Sequence, residues 1–212
     1  MSNLDKVQVY IEIMENGAVP AYANFNDAGA DVFASCDIAI RPMESVVIPL
    51  NIRVALPDDI EMQVRPRSGL SLKTDLRIPN SPGTVDAGYR DIVGIIAQNT
   101  YNIANLPYEV FSNPSITDVI ASEYEILKLN SHIKDHVLTA DPAHDHILEA
   151  ISCISPLIID KRGNPYGTIY IEKGMKIAQL VFNEYRSAEF IVVDSVASIG
   201  TDRGGGFGST GI

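Results

Sequence analysis

Short alternating segments separated by turn residues dominate the first hundred residues and return near the end of the chain. In VQVYIEI, residues 7–13, apolar side chains occupy every second position, as in a strand with one buried face. The run IVGIIAQN, residues 92–99, predicts a strand buried on both faces. Further strand-like segments are residues 45–57, 60–66, 167–185 and 189–194. Many short strands at close spacing predict an all-β sandwich or closed barrel.

Residues 101–166 break this rhythm with helical spacing. The apolar positions of the first predicted helix are Ile116, Val119, Ile120, Tyr124 and Leu127. Ser115 with Asp118 three residues later is a capping-box pattern, which marks a helix start. Asp141 and Pro142 suit the first positions of a second helix. We interpret residues 101–166 as a mainly helical insertion in a β domain.

Composition limits the classes of function. A net charge of −11 argues against a general nucleic-acid binder, which needs a basic face. No apolar run approaches the roughly 20 residues of a membrane span. The first 13 residues lack the pattern of a signal peptide, and Cys36 and Cys153 have no CxxC spacing. We therefore expect a cytoplasmic protein with reduced thiols.

Five short segments carry residues suited to phosphate chemistry. They are DAGADV (27–32), RPRSGLSLK (65–73), NSPGTVDAGYR (80–90), KIAQL (176–180) and the tail RGGGFGSTGI (203–212). Arginine and glycine-turn N–H groups suit phosphate oxygens, and acids suit a metal ion or a proton. Each segment also has an ordinary interpretation as a turn, a hairpin or a solvated end. Together the five indicate a metal-assisted phosphate site.

In this order the segments resemble the five motifs of the trimeric deoxyuridine triphosphatases (dUTPases), from Asp27 to Gly211. The resemblance implies a jelly-roll-like β barrel, a homotrimer, and hydrolysis of dUTP to dUMP and pyrophosphate with Mg²⁺. It also implies active sites between subunits, each closed by the C-terminal arm of a subunit. The expected division is a barrel of residues 1–100 and 167–202, an insertion of residues 101–166, and an arm of residues 203–212.

The resemblance also implies roles for single residues. Asp86 matches the acid that activates the water attacking the α-phosphate, and Tyr89 matches the ring under the deoxyribose. Asp31 matches an acid that holds Mg²⁺ through water, while Asn80 and Val85 stand at the uracil end of the hairpin. Phe207 matches the ring that covers the base. The other implied substrate contacts, mainly to the phosphates, are Arg67, Ser68, Gly69, Gln179, Arg203, Gly208, Ser209 and Thr210.

Deamination of dCTP is a rival activity within the same fold. The segment VDAGY, residues 85–89, resembles IDPGF of dCTP deaminase. That enzyme needs a glutamate in the following strand, where this chain has Ile96. Deamination is therefore disfavoured.

A different class of function is that of a dUTP-responsive regulatory protein. Such a protein would contact a protein partner through residues 101–166. A turnover assay distinguishes it from an enzyme, because a purely regulatory protein would bind dUTP without releasing pyrophosphate. The same segment holds His132 and His136 at a spacing that can chelate a metal. The alternative is a solvated helical hairpin, and no cysteine or Glu-x-x-His pattern supports the metal.

Overall fold

The computed structural model describes residues 6–127, 157–202 and Gly204. The strands among them are β1 (Tyr10–Ile13), β2 (Ala30–Phe33), β3 (Ile38–Ile40), β4 (Ser45–Pro49), β5 (Ile52–Ala55), β6 (Ile60–Pro66), β7 (Leu76–Arg77), β8 (Gly83–Val85), β9 (Gly94–Asn99), β10 (Tyr124–Leu127), β11 (Leu157–Asp160), β12 (Ile169–Ile171) and β13 (Lys176–Glu184). The helices are α1 (Ser68–Lys73), α2 (Leu106–Ser112) and α3 (Ile116–Glu123), with a 3₁₀ turn at Ile103–Asn105. None of these helices is long and apolar enough to cross a membrane.

Antiparallel sheets form the body of the molecule. One sheet has four strands in the order β2-β13-β6-β8, and another has three in the order β4-β9-β7. Two-stranded sheets pair β1 with β5 and β12 with β3. The all-β prediction is confirmed.

Strand β13 lies between β2 and β6, although it is the last described strand in the sequence. Its register pairs Gln179 with Asp31 of β2 on one side and with Arg65 of β6 on the other. Three segments that are far apart in the sequence therefore meet at one end of this sheet.

A single apolar core fills the space between the two large sheets. Ile48, Met62 and Leu180 have no exposed surface, and burying side chains of this size contributes about 1.5–3 kcal/mol each. In β6 the buried residues are Ile60, Met62 and Val64, as the sequence alternation predicts. The core thus holds β6 and β13 in one register.

The described part of residues 101–166 has a small core of its own. Leu106, Ile120 and Ile158 are buried together, and β10 pairs with β11 in an antiparallel hairpin. This region contains paired strands as well as helices, so it is less purely helical than the apolar spacing predicts.

Asn99 and Tyr101 join this region to the barrel. The buried Asn99 amide donates to the carbonyls of Ile40 (2.9 Å) and Gly167 (2.8 Å), and its Oδ1 accepts from the Tyr101 N–H (2.9 Å). Gly167 has φ +85°, and a Cβ there would lie 2.0 Å from the Tyr101 ring. Only glycine fits this position. The two ends of residues 101–166 therefore lie side by side at the barrel.

The predicted start of the first helix is confirmed, and its predicted end is wrong. Helix α3 ends at Glu123, before Tyr124 and Leu127, because those residues pair with β11. Ser115 precedes α3, but its hydroxyl makes no capping bond and donates to Asn113 Oδ1 instead (2.6 Å). The second predicted helix lies outside the described residues.

Part of the outer face of β4 and β9 is apolar and exposed in the protomer. Val47 is 63% exposed, and its cross-strand partner Ile96 is 40% exposed. The expectation that β9 is buried on both faces is therefore wrong for a single protomer.

Candidate active site

Asp31 on β2 is the centre of a cluster of charged and polar side chains. Asp31 is only 2% exposed. Arg67 Nε (2.9 Å) and Gln179 Nε2 (3.1 Å) donate to its Oδ1, and Lys176 Nζ lies 2.9 Å from its Oδ2. The strand order β2-β13-β6 brings these residues together, since Gln179 and Lys176 lie on β13 and Arg67 directly follows β6.

The cluster keeps Asp31 ionised. Burial alone raises the pKa of a carboxyl group, because it penalises the charged form. Hydrogen bonds from Lys176 and Gln179 and the charge of Arg67 outweigh burial, so the pKa of Asp31 lies below its usual range. The carboxylate is a permanent counter-charge for two cations at neutral pH.

Gly29 makes room for the Gln179 side chain. A Cβ at Gly29 would lie 3.0 Å from Gln179 Oε1 and 3.1 Å from its Cδ. The amide therefore lies against backbone, from where it reaches Asp31. The glycine of DAGADV acts here by leaving space.

The segment after β6 turns sharply into α1. Arg67 is extended (φ −87°, ψ 125°), and its carbonyl accepts from the N–H groups of Leu70 (3.1 Å) and Ser71 (3.0 Å). A Cβ at Gly69 would contact no atom within 4 Å, so packing does not demand glycine there. Gly69 therefore lies beside open space.

Arg77 holds the far end of this segment, and no sequence pattern pointed to it. Its Nη1 donates to the carbonyls of Ser71 (3.0 Å), Thr74 (2.7 Å) and Leu76 (2.8 Å). These bonds fix the end of α1 against the sheet.

A cleft of about 500 Å³ opens beside the Asp31 cluster. Its lining residues are Arg67, Ser68, Gly69, Leu70, Lys73, Thr74, Met175, Lys176 and Gln179. We call this space the phosphate cleft. Three of its side chains are cationic in a chain of net charge −11, a concentration that suits a polyphosphate.

The hairpin turn, residues 80–91, carries a second set of candidate residues. Asn80, Asp86 and Tyr89 are exposed, and Val85 is half-buried. The turn is held by its own bonds, including Tyr89 N–H to the Asp86 carbonyl (3.0 Å) and the Tyr89 hydroxyl to the carbonyl of Ile92 (2.9 Å). Among the described residues, no donor is hydrogen-bonded to the Asp86 carboxylate.

Asp86, which directly follows Val85, is separated from the phosphate cleft within one protomer. Val85 pairs with Met62, which stands five residues before Arg67 on the extended β6 segment. At about 3.3 Å per residue this separation is roughly 16 Å. The lining of the cleft includes no residue of the hairpin turn, so the structure brings together only part of the predicted site.

The predicted arm residues Arg203, Phe207, Gly208 and Ser209 lie outside the described residues, as do His132 and His136.

An antiparallel β fold with a cationic cleft beside a glycine turn is an arrangement that suits a small phosphorylated ligand. The dUTPase family model matches residues 15–109. The deoxyuridine 5'-triphosphate nucleotidohydrolase of Wolbachia pipientis subsp. Culex pipiens (strain wPip) is 37% identical over 121 residues, covering 55% of this chain and 77% of that protein. That of Clostridium novyi (strain NT) is 36% identical over 120 residues, covering 57% of this chain and 82% of that protein. The chain belongs to the dUTPase family, and it is a dUTP diphosphatase, a hydrolase of nucleotide metabolism.

Solved phage enzymes share the fold over nearly the whole chain. Staphylococcus bacteriophage 80alpha dUTPase with dUpNHpp has a TM-score of 0.65 at 24% identity and covers 97% of this chain and 99% of that chain. The dUTPase from phage phi11 of S. aureus, described with a species-specific insert, has a TM-score of 0.59 at 24% identity. The match covers 90% of this chain and 99% of that chain. The jelly-roll-like β fold implied by the resemblance is thereby confirmed.

Proposed function

We propose that two copies of the chain build each catalytic centre of a cytoplasmic homotrimer that hydrolyses dUTP to dUMP and pyrophosphate. The phosphate cleft of one subunit holds the phosphates, and Asp86 of the partner subunit activates the water. The observation that carries this proposal is the strand register. Val85, the neighbour of Asp86, pairs with Met62, which lies five residues before Arg67 and therefore roughly 16 Å from it at about 3.3 Å per strand residue. We infer that the acid that serves a triphosphate in this cleft comes from another subunit.

The chemical step needs one proton acceptor and several cations. The carboxylate of Asp86 takes a proton from water as the water oxygen bonds to the α-phosphorus. The bond from that phosphorus to the oxygen bridging to the β-phosphate breaks, and pyrophosphate leaves with the electron pair. Arg67 and the open backbone at Ser68 and Gly69 neutralise charge on the phosphates.

The hairpin turn selects the nucleoside in this proposal. Tyr89 lies under the deoxyribose, and Asn80 and Val85 meet uracil. The arm, residues 203–212, then closes over the bound nucleotide. Within the arm, Phe207 covers the base and Arg203, Gly208 and Ser209 contact the substrate.

Magnesium fits this site only through phosphate oxygens and water. The dUTPase family uses Mg²⁺, and a solved phage phi11 enzyme is described with a structural Mg(II) ion. Among the described residues, no three His, Cys, Asp or Glu side chains group together to hold a metal. Asp31 already accepts two bonds on Oδ1 and one on Oδ2, which leaves Oδ2 room for one metal-bound water. When bound, the ion supplies positive charge to the phosphates.

Exposed apolar surface supports the trimer. Val47 and Ile96 form an exposed apolar pair on the outer face of β4 and β9. Beyond β13, Phe190 and Val192 are 90% and 96% exposed. Contact with other copies of the chain would bury both surfaces, and such patches usually mark an interface.

The replacement Asp86→Asn tests the catalytic role. The amide keeps the size of the side chain but accepts a proton far less readily, so kcat should fall by about 10²–10⁴-fold. Binding of α,β-imido-dUTP, measured by calorimetry, should stay at the wild-type level. Pyrophosphate release near the wild-type rate would remove Asp86 from the role.

A second candidate function is partner binding through residues 101–166. Tyr108 and Phe111 lie exposed on α2, and Phe111 is 88% exposed. Solved 80alpha dUTPases are described as controlling transfer of virulence genes. If the division into barrel and insertion is right, replacing Tyr108 and Phe111 by serine leaves dUTP turnover intact and removes partner binding. Loss of turnover would make the insertion part of the enzyme.

A further inference from the structure

Lys176 lines the phosphate cleft and carries no role in the mechanism above. Its Nζ lies 2.9 Å from Asp31 Oδ2, and its side chain is 43% exposed on the cleft side of that contact. Its backbone carbonyl accepts from Arg67 Nη1 (3.3 Å). The same residue thus touches both the buried acid and the main phosphate-suited arginine.

A β-bulge places Lys176 on the face of the sheet that carries the site. Lys176 stands three residues before Gln179, and in a regular strand this odd spacing points the two side chains to opposite faces. The register to β2 shifts between Lys176 and Ala178, so that Lys176 pairs with Phe33 while Gln179 pairs with Asp31. Phe33 and Asp31 are two residues apart and share a face. The bulge therefore turns Lys176 toward Asp31, and bulges of this kind often re-aim a side chain beside an active site.

The charges of the cluster do not cancel. Asp31 contributes one negative charge, and Arg67 and Lys176 contribute two positive charges. A single pair with Arg67 would already neutralise the acid. The extra cation leaves the cluster with a net positive charge beside the cleft, where a polyphosphate gains from it.

We propose that Lys176 is a further polyphosphate-binding residue, presented to the substrate by the β13 bulge and held in place by Asp31. This inference rests on the proposed function, since it takes the cleft to be the site of the phosphates. The competing explanation is that Lys176 only satisfies the buried carboxylate.

Replacement by glutamine separates the two explanations. Lys176→Gln keeps a hydrogen-bond donor for Asp31 and removes the charge, whereas Lys176→Arg keeps both. We expect Lys176→Gln to weaken binding of α,β-imido-dUTP and of inorganic tripolyphosphate by about tenfold or more, the scale of a charge-assisted hydrogen bond. Lys176→Arg should bind within about threefold of wild type. The matched control is Lys173→Met, three residues away, where Nζ contacts Asn16 and does not line the cleft.

Calorimetric titration of all variants decides the outcome, with thermal unfolding run beside it to show that each is folded. Wild-type binding of both ligands by Lys176→Gln would overturn the inference. Arg67→Met is measured in the same series. If Arg67→Met weakens binding and Lys176→Gln does not, only the Lys176 inference fails. If Arg67→Met also binds normally, the cleft is not the phosphate site and the proposed function fails.

Discussion

The phosphate cleft and the hairpin turn carry the two halves of the proposed site in opposite ways. In the cleft, Arg67, Lys176 and Gln179 are tied to one buried carboxylate, that of Asp31. In the hairpin turn, Asp86 is exposed, and its backbone carbonyl accepts from the N–H of Tyr89 in the same turn. The cleft is organised before a ligand arrives, whereas the hairpin turn presents its acid to solvent.

Because of this difference, we expect replacements in the two regions to affect the stability of the protein to different degrees. The residues proposed to bind the phosphates also hold three strands together, so their replacement should lower both stability and affinity. The residues of the hairpin turn support little of the protomer, so their replacement should cost little stability. Each prediction below tests one side of this contrast.

The largest effect on stability is expected at Asp31. Asp31→Asn leaves Arg67 and Lys176 beside a neutral amide, and breaking a buried ion pair typically costs 3–5 kcal/mol. Because solvent still reaches both cations, we expect a loss of about 2 kcal/mol in the free energy of unfolding. Urea unfolding at fixed protein concentration measures it, and calorimetry should show weaker binding of α,β-imido-dUTP.

The matched control lies in the hairpin turn. Asp91 Oδ1 accepts from the Ile92 N–H (2.7 Å), a bond that an asparagine oxygen can also accept. Asp91→Asn should therefore change the free energy of unfolding by less than about 0.5 kcal/mol. Equal losses in Asp31→Asn and Asp91→Asn would contradict the contrast between the two regions.

A smaller effect is expected where a glycine makes room for a side chain. Gly29→Ala pushes a methyl group against Gln179, which must shift away from Asp31. We expect KM for dUTP to rise several-fold, roughly the effect of 1 kcal/mol of misplacement. Gly88→Ala in the hairpin turn, where a Cβ would contact no atom within 4 Å, should leave stability unchanged. Steady-state kinetics that show no change in KM for Gly29→Ala would mean that Gln179 is not a substrate contact.

The smallest effect is expected at Tyr89. Its hydroxyl donates to the carbonyl of Ile92 at the surface, and Tyr89→Phe removes that bond while keeping the ring. The free energy of unfolding should fall by about 0.5 kcal/mol, the low end for a hydrogen bond. Turnover of dUTP should be retained, because the proposed role under the deoxyribose belongs to the ring. A large loss of turnover would assign a role to the hydroxyl instead.

Local sequence patterns predict most of the strands, although residues 189–194 form no strand, and they predict the site poorly. The alternation of Ile60, Met62 and Val64 follows from one-sided burial, and the structure confirms it. The meeting of Asp31 with Gln179 depends on β13 inserting between β2 and β6, a long-range pairing that periodicity does not encode. Only the resemblance to the dUTPase family predicted that the segments of Asp31 and Gln179 belong to one site.

The failures of prediction have physical causes. Lys176 was missed because a bulge cannot be read from apolar spacing, and the regular period places its side chain on the wrong face. Helix α3 was predicted too long because Tyr124 and Leu127 fit a helical face, although strand pairing with β11 determines their conformation. Ile96 was expected to be buried because an apolar strand usually is, yet the protomer alone leaves it exposed.

The central claim is that the phosphate cleft and Asp86 of one active site come from different subunits. Arg67→Met disables the cleft and leaves the hairpin turn intact, and Asp86→Asn does the reverse. Each variant alone should be nearly inactive.

The two variants, unfolded together in equal amounts and refolded, form mixed trimers, and pyrophosphate release is then measured. If each site takes its cleft from one subunit and its acid from the next, about one quarter of the sites in randomly mixed trimers join two intact halves. The account predicts recovery of roughly that fraction of wild-type turnover. A mixture no more active than the separately refolded variants would contradict it, and would place the whole site within one subunit.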